Sequence, residues 1–178
     1  MKRSSSFFLK VHHFLNICIM EEESRKIKSY TPKEAKRKAE AYCAYQERAQ
    51  QEVRDKLYLW GLHQADVENI ISELIEENYL NEERFAKAFV LGKFRIKGWG
   101  KIKIVYHLKQ KKVSKPLINI ALSEIDDEEY TKTILEIIAK KIKKPLKSIS
   151  ALEKNKLLSF LQSKGYENEL IFKIFKEN

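Results

Sequence analysis

Cationic side chains in the middle of the chain are the residues whose type and spacing best suit a chemical role. Residues 84–123 contain eleven lysines and arginines and not one aspartate or glutamate. Exposed helices normally carry ion pairs between neighbouring turns, and this stretch lacks the acidic partners for them. The block therefore favours anion binding over a merely solvated face. Contacts to phosphate would give salt-sensitive affinity with little dependence on base sequence.

Trp99 lies inside this basic block, between Gly98 and Gly100. Glycine has no Cβ, so the backbone can bend sharply beside a bulky ring. Two interpretations of the indole stay open. It closes the joint between two helices as a semi-buried residue, or its flat face stacks on a base or docks on a partner protein. We favour the semi-buried role.

The sequence carries no signature of catalysis. It contains no phosphate-binding glycine loop, dinucleotide fingerprint, nucleophile elbow or zinc-protease motif. Of the four histidines, only His63 and His107 fall within the expected fold, and His107 is interpreted as a surface residue among lysines. The acidic run from Glu124 to Glu129 is interpreted as helix capping and a solvated turn, not as a metal site. We predict that the protein is not an enzyme and uses no cofactor or metal.

The composition agrees with this interpretation. The 178 residues have a formal net charge of +10, and 43% are hydrophobic, while only five glycines and three prolines are available for turns. So few turn residues argue against an all-β protein. The positive charge predicts an anionic partner, with nucleic acid ahead of a membrane. Two cysteines cannot form a disulfide framework and fit a reducing cytoplasm.

Residues 1–25 are interpreted as a leader outside the fold, either disordered or misassigned. Lys2 and Arg3 precede an apolar run, as in a signal peptide, but Lys10 and two histidines interrupt it and no small-residue cleavage site follows. The run is also shorter than the ~20 apolar residues of a membrane span. Met20, directly before three glutamates, is a candidate for the true start.

Capping residues and apolar spacing predict the helices that must position the basic block. Thr31 with Glu34 and Ser150 with Glu153 form capping boxes, and Ser114 is predicted to cap a short helix. The predicted helices, in chain order, span residues 31–45, 47–60, 64–77, 81–97, 101–112, 114–125, 128–143, 150–164 and 167–176.

Two of these helices carry most of the basic block. In the helix at residues 81–97, the apolar residues Phe85, Phe89 and Ile96 share one face, roughly opposite the cations. In the helix at 101–112, Lys103 and His107 are predicted to face outward. The cations should therefore be accessible to a partner.

The chain also contains an internal repeat. Leu57, Leu108 and Leu161 recur 51 and 53 residues apart, and each is followed by a turn and a further apolar helix. Such periods indicate tandem units that bury their apolar faces partly on one another. The predicted fold is all-α, an elongated and somewhat bendable array of three tandem three-helix repeats. Their predicted bounds are residues 26–79, 80–125 (the basic repeat) and 126–178.

The middle repeat resembles the RecX family. The resemblance is carried by residues 81–89, Asn-Glu-Glu-Arg-Phe-Ala-Lys-Ala-Phe, and by Arg95, Gly100, Ile104 and Leu108 in register after them. It extends over roughly residues 30–178 and includes three tandem three-helix repeats. The chain departs from the family at Lys112, where glycine is usual, and in the leader, which has no counterpart. The departure at Lys112 puts the turn after the fifth helix in doubt.

The resemblance implies a cytoplasmic regulator of the RecA recombinase. Members of the family bind RecA filaments on single-stranded DNA, lie along the filament groove, and restrain strand exchange, ATP hydrolysis and SOS co-protease activity. The implied partners are the RecA filament and single-stranded DNA, with duplex DNA as a further candidate. We expect a monomer without membrane attachment. The residues predicted to bind DNA or the filament are Arg84, Lys87, Lys93, Arg95, Lys97, Trp99, Lys101, Lys103, Lys111 and Lys112.

Two other functional classes stay open from the sequence. A helix-turn-helix transcriptional regulator would bind nucleic acid without RecA, but the helix after Lys112 offers few polar side chains for reading bases, and Asn119 is nearly alone. A membrane-surface protein would use the leader and the lysines, and anionic vesicles would test it.

Overall fold

The computed structural model describes residues 29–177, and within them the chain folds into helices with no strands. The all-α prediction is confirmed, whereas the predicted leader lies outside the described residues. A short 3-10 turn, Leu146–Ser148, connects the seventh and eighth helices. The helices are α1 (Pro32–Tyr45), α2 (Gln50–Leu59), α3 (Gln64–Glu76), α4 (Glu82–Lys97), α5 (Lys101–Gln110), α6 (Lys115–Leu122), α7 (Asp127–Lys141), α8 (Ala151–Lys164) and α9 (Asn168–Glu177).

Local capping starts α1 and α8 where the sequence predicts. At α1 the Glu34 N–H donates to the Thr31 hydroxyl (3.4 Å), and the Thr31 N–H donates to the Glu34 carboxylate (3.0 Å). The Ser150 and Glu153 pair forms the same box at α8. Ser114 occupies the N-cap of α6, but its hydroxyl makes no capping hydrogen bond within the described residues. These boxes satisfy N–H groups that a helix start otherwise leaves unpaired.

Three matching turns confirm the repeat. In each, the N–H of an apolar residue donates to the carbonyl of a leucine five residues earlier, closing the helix end with a Schellman-type bond. The residue before the donor has positive φ: +83° at Gly61, +58° at Lys112 and +89° at Gly165. The turn after α5 is thus kept although Lys112 replaces glycine. The donor and acceptor pairs are Leu62 with Leu57, Val113 with Leu108, and Tyr166 with Leu161.

The three units do not have three separate cores. Unit 1 (α1–α3) buries its own cluster, which includes Ala35, Val53, Leu57 and Leu74. Unit 2 (α4–α6) and unit 3 (α7–α9) contribute to a single cluster, in which side chains such as Phe94 and Tyr166 are fully or almost fully buried. Their packing therefore opposes bending between units 2 and 3.

Gly100 and Gly165 explain how units 2 and 3 come so close. The Gly100 N–H donates to the Lys164 carbonyl (2.9 Å), and the Ile102 N–H donates to the Gly165 carbonyl (3.1 Å). The end of α8 therefore satisfies free N–H groups at the start of α5. A Cβ on Gly100 would overlap the Gly165 carbonyl, and a Cβ on Gly165 would overlap the Lys103 backbone. Gly100 is required by this close approach, whereas only Gly98, with φ +59°, supplies the left-handed turn beside Trp99.

The apolar face predicted for α4 is right at Phe85, which is buried in the core, and at Phe89, which packs against it, but wrong at Ile96. Ile96 is 79% exposed, whereas Val90 and Phe94 are fully buried. The three predicted residues do share a surface, since all of them line a groove of about 310 Å³ beside the α1–α2 connection. The error arises because α4 has apolar residues on two faces, and the sequence pattern alone does not say which face packs on α6.

Candidate nucleic-acid interface

Arg84, the arginine of the Arg-Phe-Ala motif, fastens unit 2 to unit 1. Its guanidinium forms an ion pair with Glu47, in the connection between α1 and α2. It also donates to the side-chain oxygen of Asn78 (3.0 Å) and to the Asn78 carbonyl (3.1 Å). Arginine suits this role because its planar fork offers several donors in fixed geometry. A residue that the sequence analysis assigned to filament binding is thus occupied within the chain.

Four further cations of the basic block also meet carboxylates. Arg95 makes a bidentate pair with Glu129 (3.0 and 3.1 Å), and Lys101 pairs with Asp127 (3.0 Å). The expectation that the block lacks ion-pair partners is therefore wrong for five of its predicted residues. Its acidic partners lie outside residues 84–123 and, apart from Glu83 one turn before Lys87 on α4, reach it through the tertiary fold. The remaining pairs are Lys87 with Glu83 and Glu124, and Lys111 with Glu52.

The other predicted cations have no such partner. Within residues 29–177, none of Lys93, Lys97, Lys103 and Lys112 forms an ion pair. Lys93 and Lys97 lie one turn apart on α4 and line the same groove. Lys112 is exposed in the turn after α5. Among the described residues, these four lysines are the part of the predicted surface that has no carboxylate partner.

Two of these lysines, from different helices, lie against the Trp99 ring. The Nζ atoms of Lys93 on α4 and Lys103 on α5 lie 5.3 and 5.0 Å from the centre of its indole ring. The His107 ring is stacked on the same indole, with ring centres 4.6 Å apart. We call Lys93, Trp99, Lys103 and His107 the Trp99 cluster. Trp99 is partly buried against the core of units 2 and 3, in line with the semi-buried interpretation.

His107 is the member of the Trp99 cluster that sequence reasoning missed. It is half-buried, and burial lowers the pKa of its imidazole below the ordinary value. The nearby charges of Lys103, Lys93 and Lys111 lower that pKa further, since they disfavour a second positive charge. The available signal was the spacing of Lys103, His107 and Lys111 at i, i+4 and i+8 along α5 and its C-cap residue. It places all three on one helix face.

The junction between units 2 and 3 holds the cluster in place. The Lys101 N–H donates to the Tyr130 hydroxyl (2.8 Å), which itself donates to the Glu167 carboxylate (2.7 Å). Burial raises the pKa of Tyr130 far above its usual range, so its hydroxyl stays protonated and able to donate. The Lys103 ammonium donates to the Ser163 carbonyl (3.0 Å) at the end of α8. Lys103 is thus positioned by unit 3 as well as by its own helix.

Other kinds of site receive no support from the described part of the chain. No group of three or more histidine, cysteine, aspartate or glutamate side chains there has the arrangement of a metal site. Among the helices of residues 29–177, none is long and apolar enough to cross a membrane.

The sequence matches family models for all three units. Residues 35–74 match the model described as RecX, first three-helix domain, residues 81–122 match the second, and residues 127–175 match the third. The chain is 38% identical to the regulatory protein RecX of Clostridium botulinum (strain Alaska E43) over 132 residues. That match covers 73% of this chain and 61% of the relative.

A second relative is covered over more of its length. The regulatory protein RecX of Vibrio campbellii is 34% identical over 122 residues, which are 68% of this chain and 77% of that protein. The fold resembles the crystal structure of RecX from Lactobacillus salivarius, with a TM-score of 0.72 at 24% identity over 82% of this chain and 95% of the other. The three matched units and the two relatives lead to one conclusion: this chain belongs to the RecX family.

Proposed function

We propose that this chain is a regulator of RecA that binds RecA filaments on single-stranded DNA. In this proposal it restrains recombinase, ATPase and SOS co-protease activity without itself catalysing a reaction. Family membership supports the general role, because its relatives carry the name regulatory protein RecX. The observation that carries the proposal is the Trp99 cluster, where lysines from two helices converge without a carboxylate partner among the described residues.

The arrangement of the units suits a partner that is long and anionic. Lys93, Lys97 and Lys103 all lie on unit 2. Because unit 2 shares its core with unit 3, these lysines are held in fixed relative positions. Unit 1 is attached through ion pairs and through Ala49, which is buried in the core of units 2 and 3, and it can add further weak contacts along a filament. Contacts tethered in one chain raise affinity without any single strong one. Binding to DNA phosphate would in addition release counterions and depend on salt.

Restraint of RecA needs no catalytic residue in this mechanism. A chain lying along the filament would occupy space that duplex DNA requires, or would bind one filament state better than another. A ligand shifts a conformational equilibrium only by its difference in affinity for the two states. We place this activity in the cytoplasm, with the monomer as the acting form and no membrane involved.

The direct test is the ATPase activity of RecA on single-stranded DNA, titrated with this protein at low and at higher salt. The proposal predicts that ATP hydrolysis falls as the protein is added, and that more protein is needed at higher salt because phosphate contacts are screened. RecA alone at each salt concentration is the control. Unchanged ATPase activity at a several-fold excess of the protein would contradict the proposal. Tight binding to one duplex sequence without RecA would favour the helix-turn-helix alternative instead.

A further inference from the structure

His107 lies at the point where positive charges from two helices of unit 2 converge. Lys93 faces it from α4, and the Trp99 indole covers its ring from the α4–α5 connection. On its own helix, Lys103 and Lys111 are the nearby charges, and the Tyr106 ring lies edge-on with its centre 5.4 Å away. Lys111 is in turn paired with a carboxylate from unit 1, that of Glu52 on α2.

The polar atoms of this group are incompletely satisfied. Within the described residues, neither ring nitrogen of His107 takes part in a hydrogen bond. The Lys93 ammonium there has cation–π contacts with the Phe89 and Trp99 rings but no hydrogen bond or ion pair. The charges of Lys111 and its partner Glu52 offset one another. A single anion between Lys93 and Lys103 would therefore meet two ammonium groups that lack a counter-charge, beside an imidazole that can provide a further donor.

The arrangement of the unpaired lysines favours a repeating anion over a single protein carboxylate. Both arginines of the basic block are engaged with Glu47 and Glu129, so the cations of the predicted surface without a carboxylate partner in residues 29–177 are lysines. A lysine ammonium binds phosphate as a point charge. Lys97 lies one turn from Lys93, as a second cation for the repeating charge of a nucleic-acid backbone.

We propose that Lys93, Lys103 and His107 form a phosphate subsite for single-stranded DNA, in which His107 takes up one proton when the phosphate binds. This inference rests on the proposed function and deepens it, because it names the DNA backbone as the ligand of the Trp99 cluster. Trp99 acts as a positioning residue that holds the lysines and the imidazole on one surface.

The direction of the proton transfer follows from the charges. In the free protein, burial and the surrounding lysines keep the pKa of His107 below its ordinary value, so the imidazole is neutral near neutral pH. A phosphate placed between Lys93 and Lys103 offsets their charge and raises that pKa. The imidazolium then donates to the phosphate and remains over the indole, an arrangement that cation–π attraction favours. Affinity is therefore highest at low pH and falls as pH rises through the pKa of the bound state.

The test measures binding of a fluorescent oligo-dT strand to the full-length protein without RecA, at about pH 6 and pH 8. One linked proton gives at most a tenfold change in affinity per pH unit, so we expect binding about five- to tenfold tighter at the lower pH. His107→Gln should abolish this pH dependence and still bind at pH 8. His63→Gln is the matched control and should keep the dependence. The same pH dependence in His107→Gln, or none in the parent protein, would overturn the proposal.

Trp99 fluorescence provides a second measurement. It should respond to protonation of His107, and it should not respond if His107 has only a structural role. In a Trp60→Phe variant, Trp99 is the single tryptophan, and protonation of the stacked imidazole should change its fluorescence. The midpoint of that change should move to higher pH when oligo-dT is added. An unchanged midpoint with the strand bound would overturn the proton linkage.

The outcomes separate this inference from the proposed function. If oligo-dT does not bind but RecA ATPase is still restrained, the phosphate subsite is wrong and the regulatory function stands. If an acidic peptide such as polyglutamate binds with the His107-dependent pH profile and oligo-dT does not, the cluster is a protein-binding site. If oligo-dT binds as expected but RecA ATPase is unaffected, the subsite stands and the regulatory function fails.

Discussion

The boundary between units 1 and 2 and the boundary between units 2 and 3 are built from different interactions. Arg84 and Lys111 cross the first as ion pairs to Glu47 and Glu52, at side chains that are all partly exposed. The second is also crossed by ion pairs, from Arg95 and Lys101, but it has in addition a shared apolar core and backbone hydrogen bonds from Gly100 and Ile102. Exposed ion pairs contribute little and are screened by salt, whereas burial of apolar surface is the main stabilising term in folding.

This difference shows that the cations of the basic block have two separate uses. Those with carboxylate partners fasten the units to each other or brace their own helices. Those without a carboxylate partner in residues 29–177, such as Lys93 and Lys103, lie on the rigid body formed by units 2 and 3. Positive charge along a sequence therefore does not identify a binding surface until the tertiary partners of each side chain are known.

Gly100→Ala should cause the largest loss of stability, because it disrupts the boundary between units 2 and 3. The added Cβ would overlap the Gly165 carbonyl, so the backbone hydrogen bonds between α5 and α8 could not form as they are. Overpacking and lost hydrogen bonds together predict a loss of about 3 kcal/mol in the free energy of unfolding. Urea unfolding followed by circular dichroism measures it.

Gly92→Ala is the matched control for this substitution. Gly92 lies within α4 on the same rigid body, and its added Cβ would have nothing within 4 Å. Replacement of a mid-helix glycine by alanine should stabilise the protein by roughly 0.5–1 kcal/mol. Equal and small effects of the two substitutions would show that the close approach of the two glycine backbones does not hold units 2 and 3 together.

Arg84→Ala should have a smaller effect, confined to the first boundary. Cys43 in the core of unit 1 is a suitable reporter, because burial raises the pKa of its thiol to about 11 and the folded thiol stays protonated at pH 8. Labelling then requires opening of unit 1. In a Cys18→Ser background, loss of a half-exposed ion pair and its hydrogen bonds should weaken closure by ~1 kcal/mol, which is about a fivefold faster labelling rate.

Arg95→Ala provides the comparison for the labelling experiment. It removes an arginine that pairs with Glu129 at the second boundary, far from unit 1 along the chain. The Cys43 labelling rate should stay the same in this variant. Added salt should accelerate labelling in the parent protein and much less in Arg84→Ala. If Cys43 is labelled at the same rate in both arginine variants, the assignment of Arg84 to the boundary between units 1 and 2 is wrong.

Lys112→Gly should produce the smallest change. Lys112 has φ +58°, in the left-handed region that glycine adopts without steric strain. Glycine at this turn should therefore raise the free energy of unfolding by roughly 0.5–1 kcal/mol. Lys112→Ala removes the same charge but keeps a Cβ, so it should not stabilise. A loss of stability in Lys112→Gly would contradict the backbone argument.

The helices and the repeat could be predicted from sequence because their signals are local. The capping boxes at Thr31 and Ser150 and the leucines that precede each turn act within a few residues. The partners of the basic residues could not be predicted this way. Arg84 and Glu47 are 37 residues apart, and Lys111 and Glu52 are 59 apart. Only the packing of units 1 and 2 brings them together.

The same limit applies to Gly100 and His107. The glycine pair Gly98 and Gly100 correctly suggested a bend, but the requirement at Gly100 comes from the end of α8 in another unit. The half-buried state of His107 depends on the Trp99 indole across a helix junction. Sequence patterns report which residues share a helix face, and they do not report what lies opposite that face.

The central claim is that unpaired lysines, and not the basic block as a whole, carry the function. Two double variants test it, since Lys93→Gln with Lys103→Gln and Arg95→Gln with Lys101→Gln each remove two positive charges from residues 84–123. The measurement is the protein concentration that halves RecA ATPase activity on single-stranded DNA at fixed salt. The account predicts an increase of about tenfold for the first variant and less than about twofold for the second. Equal losses in the two variants would contradict it.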